Sequence, residues 1–169
     1  MTLAWAPGGN FGSPIYSLPI RVVDYVRSTF INERRRRWRE ACDLALSRWN
    51  LPFAFETQPE SEQVYRATDE TVSTLSVNPL IIPGAIVLVR LHVELASDSA
   101  GWIQQMGGGI CFFTPWRGWW PPFPASEIAG VIAHEVGHAL GFGHGGNGVM
   151  SGSNRPNDEE VSLASTYYL

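Results

Sequence analysis

Residues 134–144 read HEVGHALGFGH, and they hold three of the four histidines in a chain of 169 residues. Side chains four apart on a helix lie on one face, about a turn from each other, so His134 and His138 can aim their imidazoles at one point. Glu135 follows the first of them and projects to the side, within reach of a water at that point. Gly141 can take the left-handed conformation that stops a helix and reverses the chain. His144 then returns from below as a third nitrogen. Three neutral imidazoles are a zinc-type ligand set, and with only three protein ligands a fourth position stays open, as in catalytic rather than structural sites.

The flanks of the motif fit a helix. Ser126 and Glu127 suit its start, as a cap and as a charge near the positive end of the dipole, and Ile128, Ile132, Val136 and Ala139 make its apolar stripe. After the motif, Asn157 with Glu160 three residues later forms a capping box that opens a closing helix to about Tyr168.

Upstream, residues 17–26 read as a first strand and residues 28–49 as a helix with a stripe of Ile31, Trp38, Cys42, Ala45 and Trp49, ended at Asn50, Leu51 and Pro52. Residues 52–58 form a short strand. The β-branched run at 84–95 predicts a central strand buried on both faces. WIQQM, residues 102–106, suits a short edge strand, and ICFFT at 110–114 another strand. The loop at 115–124, with three tryptophans and four prolines, is too proline-rich for regular structure and suits packing over the motif helix. The first fourteen residues read as an irregular arm, and 15–169 as a single α/β (α+β) domain.

Composition excludes several classes of function. A formal net charge of −4 offers no general attraction to nucleic acid or to an anionic membrane. No apolar run reaches the ~18 residues of a membrane span, and the N-terminus lacks the charge pattern of a signal peptide. The basic run RRRRWR at 34–39 has opposite charges four residues away: Glu33 for Arg37, Glu40 for Arg36 and Asp43 for Arg39. It therefore predicts a solvated helix face laced with ion pairs. Cys42 and Cys111 read as buried apolar residues, with one bridge between them possible but unforced, and His92 reads as an ordinary strand residue.

The full spacing H-E-x-x-H-x-x-G-x-x-H resembles the metzincin signature, which matches by chance on the order of once in ten million windows. Metzincins place a methionine in a tight turn beneath the metal, and Met150 in NGVMSG stands six residues after His144. Their element order is similar to this one from about residue 17 to the end, and the acidic start and tyrosine end of NDEEVSLASTYYL look most like the matrixin branch. The resemblance implies a mixed, twisted five-stranded sheet with an antiparallel edge strand, two long helices, a methionine turn and a C-terminal helix. It implies a zinc endopeptidase with His134, His138 and His144 as ligands and Glu135 as general base. Gly141 and Met150 shape the site, and Gly108, Gly109 and Ile110 lie near where an extended peptide or protein substrate binds.

The sequence departs from the matrixin pattern in its short loop between His144 and Met150, and it shows neither a propeptide with a cysteine switch nor a second zinc set. Calcium has only Glu94 and Asp98 as candidate ligands. Other readings are a non-catalytic module in a larger assembly, such as a virion or secretion apparatus, and a zinc amidase acting on cell-wall peptides. The state expected is a monomer or a part of such an assembly.

Overall fold

The computed structural model describes residues 16–26, 32–69, 80–90, 101–105, 109–113 and 124–169. Five strands, β1 (Ile20–Val26), β2 (Phe53–Pro59), β3 (Ala85–Arg90), β4 (Gly101–Gln105) and β5 (Gly109–Phe113), form one sheet in the order β2-β1-β3-β5-β4. β2, β1, β3 and β5 are parallel, and β4 pairs antiparallel with β5 along the edge. Four helices accompany it: α1 (Asn32–Arg48), α2 (Glu62–Asp69), α3 (Ala125–Leu140) and α4 (Asp158–Tyr168). The architecture is mixed α/β.

Alternation along the parallel strands splits the core in two. Ile20, Val22, Ile86, Leu88, Cys111 and Phe113 face α1 and α3, while Val87, Val89, Ile110 and Phe112 pack on the other side with Val64 of α2. With a partner strand on each side and both faces covered, Ala85–Val89 are fully buried, as a β-branched run without polar alternation predicts. The stripe on α1 is buried too, through Trp38, Cys42, Ala45 and Trp49. The helix stops as its sequence predicts: Asn50 takes a left-handed φ of 53° just before Leu51 and Pro52. Cys42 and Cys111 are free thiols, both buried.

Two expectations change. Ser126 does not cap α3; the N-cap is Pro124, whose extended backbone precedes a helix that begins at Ala125. The Ser126 hydroxyl accepts instead from the Arg48 guanidinium at 3.0 Å, and the Ser126 carbonyl accepts from the same group at 3.2 Å. This ties the end of α1 to the start of α3. A helix absent from the sequence reading, α2, is capped by the Ser61 hydroxyl, which accepts from the Val64 N–H at 3.2 Å. Of the pairs expected along the basic run, Arg39 and Asp43 meet at 3.2 Å, both half exposed. Residues 1–14, Ile31, His92, Glu94, Asp98, Gly108 and the loop at 115–123 lie outside the described residues.

Candidate metal centre

The geometry of the site begins at the end of α3. Gly141 takes φ 117°, and the Gly141 and Phe142 N–H groups bond back to the His138 and Gly137 carbonyls at 3.0 and 2.9 Å. This is a Schellman-type stop, which only a residue tolerant of positive φ makes without strain. It turns the chain at once, so that Phe142 is buried and His144 comes back beside the helix.

The three Nε2 atoms of His134, His138 and His144 form a nearly equilateral triangle with sides of 3.1, 3.1 and 3.2 Å. Two of the rings are fixed from behind. His134 Nδ1 donates to the Val149 carbonyl at 2.8 Å and His138 Nδ1 to the Phe142 carbonyl at 2.6 Å. A ring nitrogen that faces a carbonyl oxygen must carry the proton, so the opposite nitrogens present lone pairs. Lone pairs converging at this range repel one another unless a cation lies between them. A point 2.0–2.1 Å from all three nitrogens, the usual zinc–imidazole distance, lies roughly 1 Å out of their plane. The donor set fits a metal ion held by three imidazoles, with no fourth protein ligand beside them among the described residues.

Burial tunes the groups toward that task. It pushes the His138 imidazole down to about 4, with the neighbouring imidazoles adding to the fall and the Phe142 carbonyl opposing it. His134 is lowered as well, by burial first. Both are therefore neutral ligands at neutral pH. Glu135 is buried, and burial raises its carboxyl to about 7. It lies where α3 packs against β5 and β4, near enough to the buried Cys111 for its charge to add to the upward push that burial gives that thiol. A cation in the triangle favours the ionised carboxylate and opposes that rise.

Beneath the triangle, Val149–Ser151 form a single 3₁₀ turn in which Val149 and Met150 are buried. Glu160 of α4 holds the turn from below. It is fully buried, and its carboxylate accepts from Val149 N–H and Met150 N–H, each at 3.0 Å, and from Asn157 N–H at 2.9 Å. The Asn157 side chain accepts in return from Glu160 N–H, completing the capping box. Glu160 was legible as a cap, but its hold on the turn beneath the site was not. Two more residues escaped the pattern. Trp49 donates its indole N–H to the Ala133 carbonyl at 3.0 Å and stacks on Phe142, with ring centroids 5.2 Å apart. Gly137 leaves room for both Trp49 and Met150.

Gly109 and Ile110 do not stand at a sheet edge. They sit in β5, buried, with Gly109 opposite Gln105 of β4 and Ile110 between Val87 of β3 and Gln104 of β4. Among the described strands the outermost on this side of the sheet is β4. The Gly109 N–H is also taken, by the Tyr16 hydroxyl at 2.8 Å. No helix among the described residues is long and apolar enough to cross a membrane. Neither protein-family models nor the curated proteins give a match to this chain.

Proposed function

We propose that the protein is a zinc-dependent endopeptidase of the metzincin type. The observation that carries the reading is the triangle of imidazole nitrogens at 3.1–3.2 Å, two of them fixed by backbone carbonyls, with a buried carboxylate next in sequence to the first ligand. The buried Met150 turn and the antiparallel edge strand β4 are in keeping with the same family pattern.

His134, His138 and His144 would hold the zinc. When bound, it supplies Lewis acidity toward a peptide carbonyl and lowers the pKa of an attacking water to about 7. Glu135 takes the proton from that water and returns it to the leaving amine, which needs a carboxylate that gains and loses a proton near neutrality. Its buried position, where α3 meets the sheet, shields it from bulk water and suits it to that exchange. An extended peptide would add along the side of β4 that no other described strand pairs, where backbone N–H and C=O groups bind chain independently of its sequence.

A proteome-derived peptide library, incubated with zinc-loaded protein and read by mass spectrometry, tests the reading. Cleavage is expected from the parent and absent from Glu135→Ala, which should keep its zinc and its fold. Turnover surviving in Glu135→Ala would remove the base assignment. His138→Ala is expected to lose the metal, and full zinc occupancy in that variant overturns the ligand set.

A further inference from the structure

The basic run of α1 is only partly the solvated face that its spacing predicts. Arg35, Arg36 and Arg39 line a cavity of about 500 Å³ together with Arg90, from the end of β3. Among the described lining residues Asp24 is the one carboxylate. Four guanidinium groups, which stay charged at any physiological pH, thus share a single basin. Asp43 offsets Arg39 from outside, and the charge of Glu60 reaches Arg90 and Asp24. Arg35 and Arg36 are the further cations of the described lining.

Its place in the fold is an independent reason to read it as a site. From β1 the chain passes through α1 to β2 on one side, while β3 lies on the other side of β1. The helices that follow β1 and β2 pack on opposite faces of the sheet. Connections that part in this way leave a crevice beyond the carboxyl ends of the strands, the usual ligand position in open parallel sheets. The basin lies there: Asp24 and Val26 come from the end of β1, Thr57 and Gln58 from the end of β2, and Arg90 closes β3. Arg90 is preorganised, its guanidinium lying 4.8 Å from the Trp38 ring, which in turn meets Phe113 edge-on at 5.3 Å. Arg39 is set over the Phe55 ring at 4.2 Å. Stacked guanidinium groups lose less freedom when they bind an anion.

We propose that this basin binds a compact small-molecule polyanion carrying phosphoryl groups. Planar guanidinium forks match phosphoryl oxygens in pairs. The cavity falls in the ~300–1,000 Å³ range of small-ligand sites, more than one inorganic phosphate fills. Thr57, on the α1 face of β2 with Phe55, adds a hydroxyl donor at the end of the strand. None of these residues belongs to the histidine site, so the inference stands or falls independently of how that site is read.

Fructose 1,6-bisphosphate, titrated into the zinc-loaded full chain at low salt, is a suitable probe. Binding is followed by NMR at the arginine Nε–Hε signals, with zinc content checked afterwards. Saturable shifts at Arg35, Arg36, Arg39 and Arg90 are expected, and they should weaken as salt is raised. Arg36→Gln should weaken binding. Thr57→Asp should weaken it about tenfold or more by placing a like charge beside the ligand. Absence of saturable shifts, or affinity unchanged in both variants, overturns the site. Butane-1,2,3,4-tetracarboxylate, of nearly the same charge near neutral pH, serves as the carboxylate arm: binding as tight as the bisphosphate overturns the phosphoryl assignment, and weaker binding supports it.

Discussion

At the scale of single residues, the motif's least conspicuous member is the one whose tolerance can be computed from its surroundings. Gly137 lies inside α3, where replacing glycine with alanine ordinarily stabilises by about 1 kcal/mol. Here an added Cβ would run into the Met150 sulfur and come within 2.8 Å of Trp49 Cζ2. Met150 can bend away, but Trp49 is fully buried, bonded to the Ala133 carbonyl and stacked on Phe142. The overpacking cost of about 1–3 kcal/mol should therefore exceed the propensity gain. Gly137→Ala is expected to be destabilised by about 1–2 kcal/mol net in chemical denaturation. It should also bind zinc several-fold more weakly, because the displaced Met150 turn carries the carbonyl that orients His134. A variant as stable as the parent would show that the packing yields more readily than this contact implies.

At the scale of elements, α4 supports the turn behind the three histidines. Its capping residue Glu160 is the buried acceptor for three backbone N–H groups, two of them in the turn beneath the histidines. Glu160→Ala leaves those donors without their acceptor, at about 1–3 kcal/mol each, so a loss of about 3 kcal/mol or more is expected. Chelator competition should also show zinc held about tenfold or more less tightly, the usual cost of losing support behind a ligand. Glu160→Gln should fall between parent and alanine, since its amide keeps one acceptor and turns donors toward the others. Zinc affinity untouched in both variants would mean that the turn is held by packing alone. What the sequence made legible follows the same division. The i, i+4 histidines, Gly141 and the Asn157–Glu160 box were readable because each depends on neighbours within a few residues. The contact of Trp49 with α3, and of Glu160 with the Val149–Met150 turn, join residues far apart in the chain, and no local spacing announces them. α2 could have been found from Ser61 and the Glu62–Arg66 pair, which meets at 2.7 Å, but so short a helix gives little periodicity. The resemblance put Gly108, Gly109 and Ile110 near an extended substrate, whereas WIQQM at 102–106 read as the edge strand. Which strand is outermost depends on pairing order, and that order places β4 beyond them.

At the scale of the whole molecule, the sheet collects its polar groups in two separate places, the histidines beside the end of α3 and the arginine basin at the ends of β1–β3. The second carries a cost in stability that pH should expose. Asp24 is 1% exposed, and burial raises its carboxyl from 3.8 to about 6 over the opposing pull of Arg90, the Trp38 indole and Arg39, with Glu60 adding slightly to the rise. Buried Cys42 also faces it, as a neutral thiol that burial holds well above its usual range. An acid whose pKa is higher in the folded state binds its proton more tightly there, so its ionisation opposes folding. Below about pH 4 both states are protonated and the effect vanishes. As pH rises from about 4 to about 6 stability is lost, to a total of about 3 kcal/mol, and no further loss follows above that range. Asn cannot titrate. Under matched metal conditions, the stability of the parent minus that of Asp24→Asn should therefore fall by about 1–2 kcal/mol between pH 5 and pH 7.5. Titration of the histidines is common to both proteins and cancels in the difference. A flat difference would mean that Arg90 compensates the buried carboxylate fully, and a rising one that their attraction outweighs burial. In either case Asp24 would be ionised already in mildly acidic solution, and would offset Arg90 there as it does at neutral pH.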